Sequence, residues 1–156
     1  MDASIASAIA VVGTLLGSVI TYLFQSRGTR RAEQYARSET LRRERLAAYS
    51  AFAGALTDLR RGVVTLWFRQ QRAPHGDDAV REASLDADRL GAVAEHARFR
   101  LQLLAADSRL VGLADAAFSS AGAIRQAVDR KELAEREGHF HDAVTAFITA
   151  ASIEAR

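Results

Sequence analysis

The first 45 residues change their pattern of apolar and polar positions twice, and each stretch predicts a different element. Residues 3–26 carry no charged side chain, and ten of them are strongly apolar: Ile5, Ile9, Val11, Val12, Leu15, Leu16, Val19, Ile20, Leu23 and Phe24. A helix over residues 3–24 rises about 33 Å, close to the roughly 30 Å hydrocarbon thickness of a bilayer. On an insertion scale those side chains contribute on the order of −3 to −6 kcal/mol, opposed by the Ser and Thr positions. The run therefore reads as a transmembrane helix. Residues 27–45 then have apolar side chains only at Ala32, Tyr35, Ala36 and Leu41. A helix polar on all sides is a solvated stalk, with no face wide enough to enter a core.

From Leu46 onward helical periodicity takes over. Ala48, Phe52, Ala55, Leu59, Val63 and Leu66 form one seam, widened by Leu46, Tyr49, Ala53 and Leu56. The seam ends at Ala73, Pro74, His75, Gly76, Asp77 and Asp78, a turn in which Asp77 or Asp78 is placed to cap the next helix. Val80, Ala83, Ala87, Leu90, Ala94, Ala97, Leu101 and Leu104 follow at alternating spacings of three and four, a heptad seam. Half of these residues are Ala, which permits close approach but buries little area each, so further helices must complete the core. Residues 108–128 predict one interrupted helix carrying Leu110, Leu113, Ala114, Ala117, Phe118, Ile124 and Val128, with a kink at 119–122. Asp129 and Glu132 have capping-box spacing, and Leu133, Phe140, Val144, Phe147, Ile148 and Ala151 carry an apolar face to the end. No strand signal appears. The predicted fold is all-α: a transmembrane anchor (1–26) continuing through a basic juxtamembrane stalk (27–45) into an antiparallel three- to four-helix bundle (46–156).

Charge sharpens the picture of the N-terminal part. The 156-residue chain has a net charge of only +2, but Arg27, Arg30, Arg31, Arg37, Arg42, Arg43 and Arg45 face only Glu33, Glu39 and Glu44 in residues 27–45. Beyond Arg45 the chain is close to neutral. A cleaved signal peptide needs positive residues before the apolar run and a small-x-small site after it; here only Met1 and Asp2 precede the run, and Tyr22, Leu23, Phe24, Gln25 and Ser26 close it. The expectation is an uncleaved single-pass anchor in the cell membrane. The arginines after it keep the C-terminal domain cytoplasmic and leave the N-terminus outside. The same arginines suit anionic lipid headgroups, at about 1 kcal/mol per residue near the surface, and nucleic-acid phosphate is the competing ligand. Within the span Gly13 and Gly17 form G-x-x-x-G, and Thr21 extends a small ridge on which two copies could meet.

The search for chemistry returns little. The absence of Cys removes disulfides, thiolate metal sites and cysteine nucleophiles. His139 and His141 are two residues apart, about 200° around a helix, whereas ligands on one helical face sit three or four apart. His96 has no second His at i+4, and His75 sits in the turn. Phosphate-loop, nucleophile-elbow and H-E-x-x-H patterns do not occur. Trp67, Phe68 and Phe99 read as core residues, and Asp86, Asp88, Glu95, Glu132, Glu135 and Glu137 as charges on solvated faces. No catalytic, cofactor or metal site is expected.

The order of segments nonetheless resembles a known family. IAVVGTLLG at 9–17, RRAE at 30–33, LRRERLAAYSAFAGAL at 41–56, TLWFRQ at 65–70, DRLGAVAEHARFRLQLL at 88–104 and TAFITAAS at 145–152 together resemble the KilB-type proteins of actinomycete conjugative elements. The resemblance spans nearly the whole chain. It implies a part in the spread of transferred plasmid DNA through recipient mycelium, harmful when unregulated, and carries over no site residues. The expected function is a non-enzymatic, membrane-anchored helical protein that binds a partner protein or a second copy of itself. The alternative is a membrane tether whose stalk arginines hold DNA. A third, a membrane-perturbing peptide, needs toxicity to reside in residues 1–26.

Overall fold

The computed structural model describes the backbone of residues 2–72 and 77–154 and the side chains of residues 36–72 and 77–154. Four α-helices follow one another: α1 (Asp2–Arg72), α2 (Asp78–Leu104), α3 (Ser108–Ala123) and α4 (Arg130–Glu154), with a 3-10 turn at Ile124–Gln126 between α3 and α4. The chain divides into two compact units, residues 1–41 and 42–156. The first is helical wherever it is described. The second is the bundle, which begins at Arg42, within the stretch that the charge pattern assigns to the stalk.

Contacts between distant residues set the topology of the bundle. Along α1, Arg45 meets Leu104 and Gly62 lies against Ala87 and Leu90, so α2 runs back along α1. Tyr49 meets Glu154 and Arg60 meets Glu137, so α4 also runs antiparallel to α1. Asp115 meets Arg98 and Gln102, and Arg125 meets Asp88 and Ser84, placing α3 antiparallel to α2. The result is an up-down-up-down four-helix bundle with short connections.

Local chemistry explains where each helix starts and stops. The Asp77 carboxylate accepts from the Ala79 N–H at 2.9 Å, the N-cap expected for α2. Asp107 caps α3 in the same way at 2.8 Å. Before α4, Asp129 accepts from the Glu132 N–H while Glu132 accepts from the Val128 N–H, a capping box shifted by one residue on its return arm. The predicted helix over 108–128 stops earlier, at Ala123. The 3-10 turn closes with Ala127 N–H donating to the Ile124 carbonyl; it buries Ile124 and leaves Val128 exposed.

The core follows the predicted seams closely. All six residues of the main α1 seam are buried, and so are Tyr49 and Leu56. All eight residues of the α2 heptad seam belong to the core, with Ala87, Ala94 and Leu101 fully enclosed. Phe52 and Phe147 meet edge to face at 5.3 Å between ring centres, with Tyr49 edge-on to Phe147 at 6.4 Å. Three expected core residues stand elsewhere. Leu46, Phe99 and Ile148 are about half exposed, because the bundle closes on the Ala-rich seams and these residues fall at or beyond the rims.

Candidate interaction surfaces

The residues singled out in the sequence divide into two groups. Gly13, Gly17, Thr21, Arg27, Arg30 and Arg31 lie outside the residues whose side chains are described, and so does the apolar run at 3–26. Among the described residues no helix is long and apolar enough to cross a membrane. Arg37, Arg42 and Arg43 are exposed on α1. Arg45 is half-buried, and its Nε donates to the Leu104 carbonyl at 2.8 Å. That carbonyl belongs to the last turn of α2, where backbone acceptors lack helical partners and the helix dipole favours a cation. Arg45 thus works as a helix cap of the bundle.

The neighbouring polar contacts brace the same end. Glu154 accepts from the Tyr49 hydroxyl at 2.8 Å and from the Ala106 N–H at 2.9 Å, tying α4 to α1 and to the α2–α3 turn. Burial, and then the Glu154 carboxylate, pushes the Tyr49 phenol above its ordinary range. Beside this contact lies an apolar recess of about 360 Å³ between α1 and α4, lined by Leu46, Tyr49, Ala53, Phe147, Ile148 and Ala151 with two serines. A second recess, between α1 and α2, is charged instead: Arg69, Glu82, Asp86 and Arg89 line it.

The outward side of α2 carries the other exposed apolar surface. Leu85, Ala92, Val93, Phe99 and Leu103 are all exposed there, Leu103 to 86%. The half-exposed Phe99 ring lies under the Arg98 guanidinium at 5.2 Å, and that guanidinium also covers Phe118 at 4.6 Å. Arg98 further approaches Asp115 at 3.5 Å and Glu95 at 3.6 Å, so it is a side chain of the bundle rim. Sequence reasoning missed this outward stripe, although Leu85, Ala92 and Phe99 recur every seven residues.

Among the described residues no group of three or more His, Asp or Glu side chains is placed to hold a metal ion. His96, His139 and His141 are each exposed. The Glu132 carboxyl is held below its ordinary value first by the Val128 N–H and then by Arg136, a capping role.

These features define a small all-helical bundle protein whose apolar surplus lies on its surface. The chain belongs to the KilB plasmid transfer protein family, whose family model matches residues 46–155. The match begins at Leu46, where the hydrophobic seam of the bundle begins, and covers all of α2, α3 and α4. No match was found among the curated proteins or among the solved structures.

Proposed function

We propose that this chain is a non-enzymatic interaction protein of plasmid transfer, anchored in the cell membrane by residues 3–26 with its helical bundle in the cytoplasm. The observation that carries the transfer role is the family match over residues 46–155. The charge-free length of residues 3–26 supports the anchor, and Arg27, Arg30 and Arg31 immediately after it support the orientation. The bundle offers partner-sized apolar surfaces, at the α1–α4 recess and on the outside of α2, in place of a constellation of reactive groups.

Topology and transfer are tested separately. A reporter active only in the cytoplasm, fused after Arg156, is expected to be active, and an exterior-only reporter there silent; the reverse result overturns the orientation. Exchanging Arg27, Arg30 and Arg31 for Glu is expected to weaken the bias. Removing the chain from its conjugative element is expected to reduce plasmid spread among recipient cells, and unchanged spread overturns the transfer role. Purified full chain is expected to show no DNA retention at low salt. Retention that falls steeply with salt, with a log–log slope of about −0.9 per phosphate contact, would instead assign the exposed arginines to DNA.

A further inference from the structure

We propose that the outer face of α2 is a self-association surface on which the α2 helix of a second copy docks antiparallel.

The two long sides of α2 differ. Ala87, Ala94 and Leu101, seven residues apart, are the enclosed inner edge of α2. Half a turn away lies a second stripe, Leu85, Arg89, Ala92, His96, Phe99 and Leu103, spaced four, three, four, three and four, and every member of it is exposed. This is a complete two-helix seam about 27 Å long. Leu85 and Arg89 border the charged recess that α2 shares with α1, and every member of the stripe lies outside the enclosed core.

The stripe is complementary to itself in one direction only. In an antiparallel pair centred between Ala92 and His96, Leu85 meets Leu103 of the other copy, Arg89 meets Phe99, and Ala92 meets His96, each pairing occurring twice by symmetry. A leucine pair therefore closes each end, and each Arg89 guanidinium lies over a Phe99 ring, an attractive cation–π arrangement. The flanking positions agree: Asp86 faces Arg100 of the other copy twice, and Val93, half exposed in the single chain, faces Val93 across the symmetry axis. The one like-charge meeting is Glu95 with Glu95, and each of these carboxylates already has Arg98 of its own chain 3.6 Å away. A parallel pair would stack Arg89 on Arg89 and His96 on His96 inside the seam. Like charge at a seam disfavours that register, so the geometry selects the antiparallel partner.

One helix pair of this length is a small interface, and confinement in a shared membrane raises its occupancy through effective concentration. That last point rests on the anchored reading; the surface and its register do not. The test therefore uses the full chain both in native membranes and at high concentration in detergent. Because the natural chain has no Cys, each introduced thiol is unique. Val93→Cys is expected to form a disulfide-linked dimer under mild oxidation. Leu85→Cys and Leu103→Cys chains are expected to link to each other when mixed, and at least several-fold less to themselves. Asp86→Arg is expected to weaken the Val93→Cys crosslink, and adding Arg100→Asp to restore it. Far-ultraviolet circular dichroism matching the natural chain confirms that each variant folds. Folded Val93→Cys chains that do not crosslink in either setting overturn the proposal, and so do Leu85→Cys chains that link to themselves as readily as to Leu103→Cys chains. A different protein crosslinked at Val93→Cys in native membranes, with no dimer formed, also overturns it.

Discussion

The indole N–H of Trp67 donates to the backbone carbonyl of Ala127 across 2.6 Å, joining the last turns of α1 to the connection before α4. Both residues are buried, and the Ala127 carbonyl lies just beyond the 3-10 turn, where no helix supplies it a donor. Arg136 satisfies the carbonyl of Ala123 a few residues earlier, at 2.8 Å. Side chains from α1 and α4 therefore hold the irregular segment that separates α3 from α4.

Trp67→Phe keeps an aromatic ring at this position but removes the donor. The Ala127 carbonyl then stays buried without its partner, which costs roughly 1–3 kcal/mol. The expected result in thermal or denaturant unfolding is a clear loss of stability with unchanged helix content. An unchanged midpoint would mean that water reaches the carbonyl and that the bond contributes nothing net.

A larger cost is expected at Phe147, which is fully buried between α4 and α1. Its ring is packed edge-on against Phe52 and Tyr49. Phe147→Ala removes both contacts and opens a cavity, a change of about 3–5 kcal/mol. Ile148→Ala, one residue along on the exposed rim, is expected to change stability by under about 1 kcal/mol. Comparable losses at the two positions would contradict the placement of Phe147 in the core and Ile148 on the rim of the apolar recess.

The inner seam of α2 was legible in the sequence because its spacing never departs from three and four, and its N-cap was narrowed by the preceding turn to Asp77 or Asp78. The outer stripe of α2, with Leu85, Phe99 and Leu103, was not read as a face of its own, and Phe99 was placed in the core with Trp67 and Phe68. α1 presents Gly62 to Ala87 and Leu90, and only a pairing between distant segments reveals that fit. The role of Arg45 was hidden for the same reason. It follows Arg42, Arg43 and Glu44 in the sequence, and the carbonyl it caps lies 59 residues away. Of the expected ligand-facing arginines, Arg37, Arg42 and Arg43 are exposed.

Gly62 supplies a direct test of that close approach. A Cβ at this position would lie 2.6 Å from Leu90 Cδ1 and 3.6 Å from the Ala87 Cα. Gly62→Ala gains roughly 1 kcal/mol of helix propensity, which is offset in part by moving the flexible end of Leu90. Gly62→Leu has no such escape, because its larger side chain must displace the α2 backbone. It is expected to destabilise by about 1–3 kcal/mol or more. If Gly62→Leu were as stable as Gly62→Ala, the two helices would not approach closely there.

Glu132 predicts how stability responds to acid. Its carboxylate accepts from the Val128 N–H at 2.9 Å and from Arg136 Nη2 at 2.7 Å, and both contacts are stronger to the ionised form. Its acidity is accordingly shifted below the ordinary value of 4.5, first through Val128 and then through Arg136. In the unfolded chain neither partner is held nearby, so the folded state binds the proton more weakly than the unfolded one. The stabilisation is therefore fully present above about pH 4.5 and disappears as the pH falls through the lower, folded value. Glu132→Gln removes the titrating group and keeps the size. The natural chain is expected to be the more stable at pH 7, and the gap between the two to close as the pH is lowered below 4.5. Arg136 keeps its bond to the Ala123 carbonyl in the variant, so the 3-10 turn persists and the comparison isolates the carboxylate. A gap that stays constant from pH 7 down to 3 would show that Glu132 does not exchange its proton on unfolding, and that the capping box holds as well with a neutral side chain.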